Sequence, residues 1–189
     1  MDAKQSLLDI LGTANNGQSQ LNTLQRVLLI TDGTVTDVLE AYANERIRVV
    51  KLAQEFDTVD VEQPELDSSY AQRVLRRTVL LQGSMTGINF VHADSVFTPD
   101  HLHPEIVDAL LAGNKPLGRL LAQYRVETFR EIVAVGFEPA GTCADYFGVD
   151  PASKLVFRTY RIIVERRPVV RITEKFPVTW FSLSSPVLD

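Results

Sequence analysis

Hydrophobic and polar residues follow two different periods along the chain, and the first 45 residues have the helical one. Apolar side chains recur at three- and four-residue spacing in residues 3–12 and 21–28, which predicts two short helices. Thr34, with Asp37 three residues later, is a variant capping pattern that predicts the start of a third helix. Residues 13–20 (TANNGQSQ) have the composition of a flexible linker.

From residue 46 onward the period is two, which is typical of strands with one buried face. Two helical stretches, 103–113 and 115–124, interrupt this pattern, and the acidic stretch 57–72 predicts a turn. Short turns join most of the strands. We therefore expect an α+β protein with a six-stranded antiparallel sheet and helices on one face. The predicted strands are 46–56, 73–82, 88–97, 127–137, 154–164 and 168–178.

The chain has 189 residues, a length that fits one domain. We expect residues 1–20 to be a partly flexible N-terminal extension and residues 21–189 to be a single domain. The single cysteine, Cys143, excludes an intramolecular disulfide and a zinc site built from cysteines. No apolar run reaches the roughly 20 residues that span a membrane, and the N-terminus lacks the apolar core of a secretory signal. These features predict a cytoplasmic protein.

The net charge of −5 comes from 19 basic and 24 acidic residues. Nucleic-acid binding depends on clustered lysine and arginine, so we expect no nucleic-acid partner and no membrane partner. A small anionic ligand is compatible with this charge, because a pocket needs only two or three cations. We expect a monomer or a small homo-oligomer.

Two charged residues stand in otherwise apolar rows of the predicted strands. Arg77 shares its face with Leu75 and Val79, and Glu174 shares its face with Ile172. An isolated buried charge is very costly, so each must be paired, neutralised or matched by a ligand. Three interpretations stay open: the two residues pair with each other, they are solvated at the rim of the sheet, or they line a cavity that holds a ligand.

The same test selects Glu131 and Arg158, and for both of them a structural ion-pair partner is the favoured interpretation. Other candidate chemistry is weak. His101 and His103 are more typical of a surface loop before a helix than of a metal site. Cys143 has no accompanying histidine motif, which favours a buried small residue. The sequence therefore predicts no metal site.

Two predicted helices begin at loops where backbone N–H groups are left without helical partners, near Val35 and near Leu117. Such a helix start can receive a carboxylate. The alternative is an ordinary capped helix, and it is the favoured interpretation for either segment taken alone.

Five segments of the chain resemble the chorismate lyase family, which makes 4-hydroxybenzoate and pyruvate from chorismate. The resemblance covers residues 21–182 and is best with the longer branch of the family. The order KPLGR and then ITEKFP is its most specific feature. The resemblance implies the fold of UTRA ligand-sensing domains of GntR-type regulators. The segments are DGTVTDVLEAY (32–42), RRTVLL (76–81), GNKPLGRLL (113–121), TFREI (128–132) and VVRITEKFP (169–177).

By position, the resemblance implies that Arg77 binds the ring carboxylate and that Glu174 meets the ring oxygen at the other end. It also implies that the backbone amides of Leu117 and Val35 contact the ligand, although the better-known branch has methionine in place of this valine. The helix-start N–H groups near Leu117 and the Arg130 side chain are the candidates for binding a second carboxylate. The resulting hypothesis is a lyase that breaks a carbon–oxygen bond by eliminating pyruvate, without a cofactor. The alternative is a non-catalytic UTRA-like module that binds an aromatic carboxylate.

Overall fold

The computed structural model of the chain describes residues 3–12, 21–59, 72–113 and 115–181. The linker predicted at 13–20 and most of the predicted acidic turn lie outside the described residues.

Six strands form one sheet in the order β1-β2-β3-β6-β5-β4, and every pair of neighbours is antiparallel. Two three-stranded meanders therefore join side by side through β3 and β6, as expected when short turns link consecutive strands. This arrangement confirms the predicted six-stranded antiparallel sheet. The strands are β1 (Ile47–Val59), β2 (Gln72–Gly83), β3 (Asn89–Phe97), β4 (Phe129–Pro139), β5 (Lys154–Val164) and β6 (Arg167–Pro177).

The described helices are short, and none exceeds nine residues. Helices of this length are marginal in isolation, so packing against the sheet must hold them. None of the described helices is long and apolar enough to cross a membrane. The helices are α1 (Ala3–Ile10), α2 (Thr23–Ile30), α3 (Val35–Ala43), α4 (Pro104–Ala112), α5 (Leu117–Gln123) and α6 (Ala144–Phe147).

Helices α2 to α5 bury apolar residues in one cluster with one face of the sheet, which we call the inner face, and α1 packs partly buried Leu7 and Ile10 against the same cluster. Alternate residues of each strand form this face, among them Leu75, Val79, Val156 and Ile172, and all four are buried. The opposite, outer face is more polar and more exposed. The helices add to the core Leu28, Leu29, Val35, Leu39, Ile106, Leu110, Leu120 and Leu121.

A short segment covers part of the outer face. It consists of a 3₁₀ turn, Gly141–Cys143, and α6. The Tyr146 ring lies 5.7 Å from the His92 ring, and its backbone carbonyl accepts a 2.6 Å hydrogen bond from Asn89 Nδ2. The main helical layer is thus on the inner face, with this single-turn helix on the other side.

Tertiary contacts decide two features that local patterns do not. Thr34 precedes α3 but makes no capping hydrogen bond with its side chain. Instead, the Thr34 side chain lies against Gly118, where an added Cβ would be 2.8 Å from it. A capping box is present at α2, where the Asn22 and Gln25 side chains each accept from the other residue's backbone N–H.

Strand ends differ slightly from the prediction. Residues 57–59 belong to β1 rather than to the predicted turn, because their backbone pairs with β2 and the Asp57 carboxylate accepts a 2.8 Å bond from Arg76. Strand β4 starts at Phe129 and ends at Pro139, each two residues later than predicted.

Candidate functional site

A pocket lies between the inner face of the sheet and the first residues of α3 and α5. Its cavity volume is about 70 Å³, counted as the space that the centres of water molecules can occupy. Because a single water needs roughly 10–15 Å³ by this measure, the pocket can hold a molecule the size of one substituted ring. Its walls are mostly apolar, as ligand sites in proteins usually are. The apolar wall includes Val49, Val79, Leu81, Ala93, Phe97, Ile162 and Ile172.

Arg77 lies at the β2 side of the pocket and is only 4% exposed. One guanidinium nitrogen donates a 3.2 Å hydrogen bond to the Gly113 carbonyl, and Nε has no partner. No carboxylate contacts the Arg77 guanidinium in the described part of the chain, and burial lowers its pKa. A buried cation without an anion is costly, so this position favours an anionic ligand.

Gly113 fixes the direction of the Arg77 side chain. It ends α4 in the left-handed conformation (φ 82°), which favours glycine, and its carbonyl points at the guanidinium. An added Cβ at this position would lie 3.0 Å from Lys51 Nζ. The C-terminus of α4 is therefore an orienting group for Arg77 that carries only the partial negative charge of a helix end.

Glu174 lies in β6, is 6% exposed and also lines the pocket. Its Oε2 accepts a 2.7 Å hydrogen bond from Arg158 Nε, and its Oε1 accepts a 3.1 Å bond from the Tyr160 hydroxyl. Arg77 and Glu174 therefore do not pair with each other, and they are not solvated at the rim. Arg158 does have the structural partner that the sequence favoured for it, and that partner is Glu174.

Electrostatics keep both partners of Glu174 in the form that donates. Burial disfavours the charged form of Arg158, but the adjacent Glu174 carboxylate outweighs this effect and raises the pKa of Arg158. Burial, followed by the Glu174 charge, strongly raises the pKa of the Tyr160 hydroxyl. Tyr160 is thus a neutral phenol and Arg158 a cation at neutral pH.

The strand register places Arg77 and Glu174 at opposite ends of the pocket. Arg77 is opposite Ser95 of β3, which is opposite Ile172 of β6, so Glu174 is two strands and two residues away. With strands about 4.8 Å apart and a rise of about 3.4 Å per residue, the two Cα atoms lie roughly 12 Å apart. Two long side chains that converge across this span leave room for one ring between them.

A bulge in β4 directs Arg130 into the pocket. The register shifts between Ile132 and Ala134, so residues before the shift have the opposite alternation from residues after it. Arg130 is opposite Ile162 on the inner face, and its buried Nε has no hydrogen-bond partner within the described ranges. Arg130 is therefore a second cation available to a ligand.

The same bulge shows that the predicted apolar row of Glu131 is wrong. Glu131 is opposite Arg161 on the outer face, and the two side chains form a 2.8 Å ion pair. The favoured structural partner of Glu131 therefore exists, but its carboxylate is half-exposed rather than set among core residues.

The starts of α3 and α5 meet over the pocket. Val35 and Leu117 are the first residues of these helices and both line the pocket. Neither the Thr34 nor the Pro116 side chain caps its helix, and the first helical hydrogen bonds involve later amides. Gly118 lets the helices approach this closely, since a larger residue would strike Thr34. The amides at these two starts are donors near the pocket.

The five residues that were predicted to contact a ligand thus all line one pocket: Val35, Arg77, Leu117, Arg130 and Glu174. Around an apolar slot they provide two cations without an acidic partner among the described residues, a carboxylate with attached donors, and backbone amides at two helix starts. This arrangement suits a small ring that carries an acidic group at one end and a hydrogen-bonding oxygen at the other.

The model of the family described as Chorismate pyruvate-lyase Rv2949c-like matches residues 29–182. The chain belongs to this family. A chorismate pyruvate-lyase of Mycobacterium leprae (strain TN) is 39% identical over 153 residues, which are 80% of this chain and 72% of that protein. A chorismate pyruvate-lyase of Mycobacterium tuberculosis (strain H37Rv) is 33% identical over 162 residues, 83% of this chain and 81% of that protein.

Solved structures show that this member of the chorismate pyruvate-lyase family has the fold of UTRA domains from GntR-type regulators. The effector domain of PhnF from Mycobacterium smegmatis superposes with a TM-score of 0.63 and 12% identity, over 78% of this chain and 90% of that one. The C-terminal domain of the histidine utilization repressor from Pseudomonas syringae gives 0.55 and 15%, over 76% and 100%. At these identities the likeness concerns the fold alone.

Tyr160 lines the pocket and bonds to Glu174, although the sequence pattern had not marked it as a site residue. The sequence pattern could have indicated this role, because Tyr160 lies in the same strand row as Arg158 and a buried tyrosine hydroxyl usually has a polar partner. Ser95 also lines the pocket, but its hydroxyl donates to the Arg77 carbonyl and so supports the strand.

The weaker candidates do not join the site. His101 and His103 lie near the start of α4, away from the pocket lining, and no group of metal-ligating residues occurs among the described residues. Cys143 is buried beside α6, and burial raises the pKa of its thiol. It is a core residue, as the sequence favoured.

Proposed function

We propose that this protein is a lyase that converts chorismate to 4-hydroxybenzoate and pyruvate. The observation that carries the proposal is Arg77, a guanidinium that is 4% exposed and has no acidic partner among the described residues. It stands at one end of an apolar pocket that has Glu174 at its other end. Family membership and two relatives of this name support the same activity.

The reaction needs orientation more than strong acid–base catalysis. Chorismate carries a ring carboxylate, a ring hydroxyl and an enolpyruvyl ether with its own carboxylate. The ether carbon–oxygen bond and a neighbouring ring carbon–hydrogen bond break, a ring double bond forms, and pyruvate receives the proton. Because the product ring is aromatic, the step is strongly downhill, and holding the reacting bonds in line can supply much of the rate enhancement.

Arg77 would bind the ring carboxylate with two parallel N–H···O bonds, as guanidinium groups commonly do. Burial strengthens such a pair, because the surrounding wall is apolar. Glu174 would accept a hydrogen bond from the ring hydroxyl and assist the proton transfer as a base. The separation of these two residues across β3 agrees with the length of a ring that is substituted at opposite ends.

Arg130 would bind the second carboxylate, on the enolpyruvyl group. Its Nε is buried without a partner, and its charge acts on the Tyr160 hydroxyl beside Glu174. The enolpyruvyl ether is attached next to the ring hydroxyl, so its carboxylate belongs at this end of the pocket. The backbone amides of Leu117 and Val35 would supply further donors to the bound acid groups.

The test is to incubate the purified protein with chorismate and to measure pyruvate and 4-hydroxybenzoate together. We expect equal amounts of both, and loss of both with Arg77→Met. The matched control is Arg76→Met, because Arg76 is the next residue and its side chain bonds to Asp57 on the outer face. A different product, or full turnover by Arg77→Met, would reject the proposal.

A second candidate function is non-catalytic binding of an aromatic carboxylate, which the likeness to regulator domains favours. Glu174→Gln separates the two functions. In a lyase it abolishes turnover while 4-hydroxybenzoate still binds at Arg77. A sensor binds 4-hydroxybenzoate tightly and produces no pyruvate even as the wild-type protein.

A further inference from the structure

Both oxygens of Glu174 already accept a hydrogen bond from the protein. Arg158 Nε donates to Oε2 over 2.7 Å and the Tyr160 hydroxyl donates to Oε1 over 3.1 Å. All three side chains are at least nine-tenths buried. The carboxylate is therefore held from two sides in a fixed orientation, although a glutamate carboxylate otherwise rotates easily about its last bond.

The Arg158 charge is not available to a ligand. Arg158 is 2% exposed, its Nη1 donates a 2.9 Å bond to the Thr31 carbonyl, and its Cζ lies 4.8 Å from the centre of the Tyr160 ring. It is also absent from the residues that line the pocket. Arg158 thus joins Glu174 to the loop that leads into α3, behind the pocket wall.

These bonds define what Glu174 can do toward the pocket. An ionised carboxylate has no hydrogen to donate, and each oxygen keeps a lone pair after accepting one bond. Tyr160 remains protonated because burial raises its pKa, and its hydrogen is committed to Oε1. The remaining lone pairs of the Glu174 carboxylate can therefore be satisfied only by a ligand group that donates a hydrogen bond.

We propose that Arg158 and Tyr160 are positioning residues that hold Glu174 as an acceptor, and that they make this end of the pocket selective for a ring substituent that donates a hydrogen bond. This selectivity is a property of binding and not of turnover. It rests on the proposed function in one respect, which is that the ligand is an aromatic carboxylate. A substituent of similar size that has no hydrogen to donate leaves Glu174 without a hydrogen-bond partner in the ligand, and such a ligand binds more weakly.

The probes are four aromatic acids whose dissociation constants are measured by calorimetry with the full-length wild-type protein at one pH. 4-Hydroxybenzoate and 4-aminobenzoate present a donor, benzoate presents none, and 4-methoxybenzoate has the oxygen but no hydrogen on it. We expect the two donors to bind roughly 10- to 100-fold more tightly than benzoate, as a hydrogen bond to a charged group allows. 4-Methoxybenzoate should bind no better than benzoate.

Tyr160→Phe tests the positioning role. Without the hydroxyl, the carboxylate can turn both oxygens toward Arg158 and away from the ligand. The preference for 4-hydroxybenzoate over benzoate should fall by roughly 10-fold while the benzoate constant changes little. The matched control is Tyr146→Phe, which removes a hydroxyl on the outer face and should leave the preference unchanged.

Arg158→Lys is the second variant. It keeps the positive charge, but an ammonium lacks the planar fork that reaches Glu174 and Thr31 together. We expect a reduced preference that stays above that of Glu174→Gln. If this variant does not fold, Tyr160→Phe decides the matter, because removing one hydroxyl leaves the ion pair in place.

Two results would overturn the inference: wild-type protein that binds benzoate as tightly as 4-hydroxybenzoate, or Tyr160→Phe protein that weakens all four acids equally. Chorismate turnover is measured separately on the same samples. Turnover without ligand preference rejects the inference and keeps the lyase, whereas preference without turnover keeps the inference and rejects the lyase.

Discussion

The two faces of the sheet treat charged residues in opposite ways, and neighbouring arginines show the contrast most directly. Arg76 points to the outer face, where its exposed side chain bonds to Asp57 over 2.8 Å. Arg77 points to the inner face, is nearly fully buried and has no anionic partner in the described part of the chain. On the outer face Arg161 and Glu131 form another partly exposed pair.

This contrast separates paired charges at the surface from a buried charge that, as we propose, binds a ligand. Exposed pairs contribute little to stability and are easily replaced. A buried, unpaired guanidinium destabilises the free protein, so its retention needs another reason. Arg77 on the inner face therefore carries a cost in stability that an acidic ligand would offset, whereas the exposed pairs of the outer face do not carry this cost.

The largest expected effect is at the adjacent arginines. Arg77→Met should lower kcat/KM for chorismate by about 100-fold or more, because it removes the partner of a buried carboxylate. Arg76→Met should leave turnover near the wild-type value. Steady-state assays that follow pyruvate measure both variants. Equal losses in the two would mean that the faces do not differ as described.

Arg77→Met should have the opposite effect on stability to the one it has on turnover. In the absence of ligand, Arg77→Met should unfold at the same or a higher urea concentration than wild type, since it removes an uncompensated buried charge. Urea unfolding followed by circular dichroism measures the difference. A loss above about 2 kcal/mol would instead make Arg77 a structural residue.

Ion pairs on the two faces should differ in what their removal costs. Arg158→Met leaves the Glu174 carboxylate buried and without its cation, which should cost about 3–5 kcal/mol in the free energy of unfolding. Arg161→Met removes the partner of half-exposed Glu131 and should cost less than about 1 kcal/mol. Similar costs in urea unfolding would contradict the assignment of one pair to the interior and the other to the surface.

Arg130 sharpens the comparison within the pocket. Arg130→Gln should raise KM for chorismate roughly 10- to 100-fold, because the second carboxylate loses a charged partner. Binding of 4-hydroxybenzoate, which lacks that carboxylate, should change far less. Arg161→Gln on the outer face of the adjacent strand is the control. If both ligands weaken equally, Arg130 does not discriminate between them.

The smallest expected effect concerns a titrating residue on the outer face. Burial lowers the pKa of His92 below its ordinary value of 6.5, although Asp94 opposes this effect. As the pH falls, the unfolded state takes up the proton first, so the free energy of unfolding should decrease between about pH 7.5 and 5.5. His92→Gln should reduce this decrease in urea unfolding. An unchanged decrease would show that His92 is not its source.

The sequence by itself determined most of the strand segments, and it placed Arg77, Arg158 and Glu174 on apolar faces. Alternation of side chains is a local property of an extended chain, so Arg77 and Glu174 could be selected before any strand order was known. The assignment of each segment to a helix or a strand also rests on the local period of its apolar residues. The predicted six strands and five principal helices are present.

Tertiary structure alone decided the partners and the exceptions to alternation. Glu174 bonds to Arg158 and Tyr160 because β5 lies beside β6, and strand order is a long-range property. The bulge in β4 turns Arg130 inward and Glu131 outward, against an unbroken period of two. Bulges and partner choice depend on contacts between segments distant in sequence, which local periodicity does not encode.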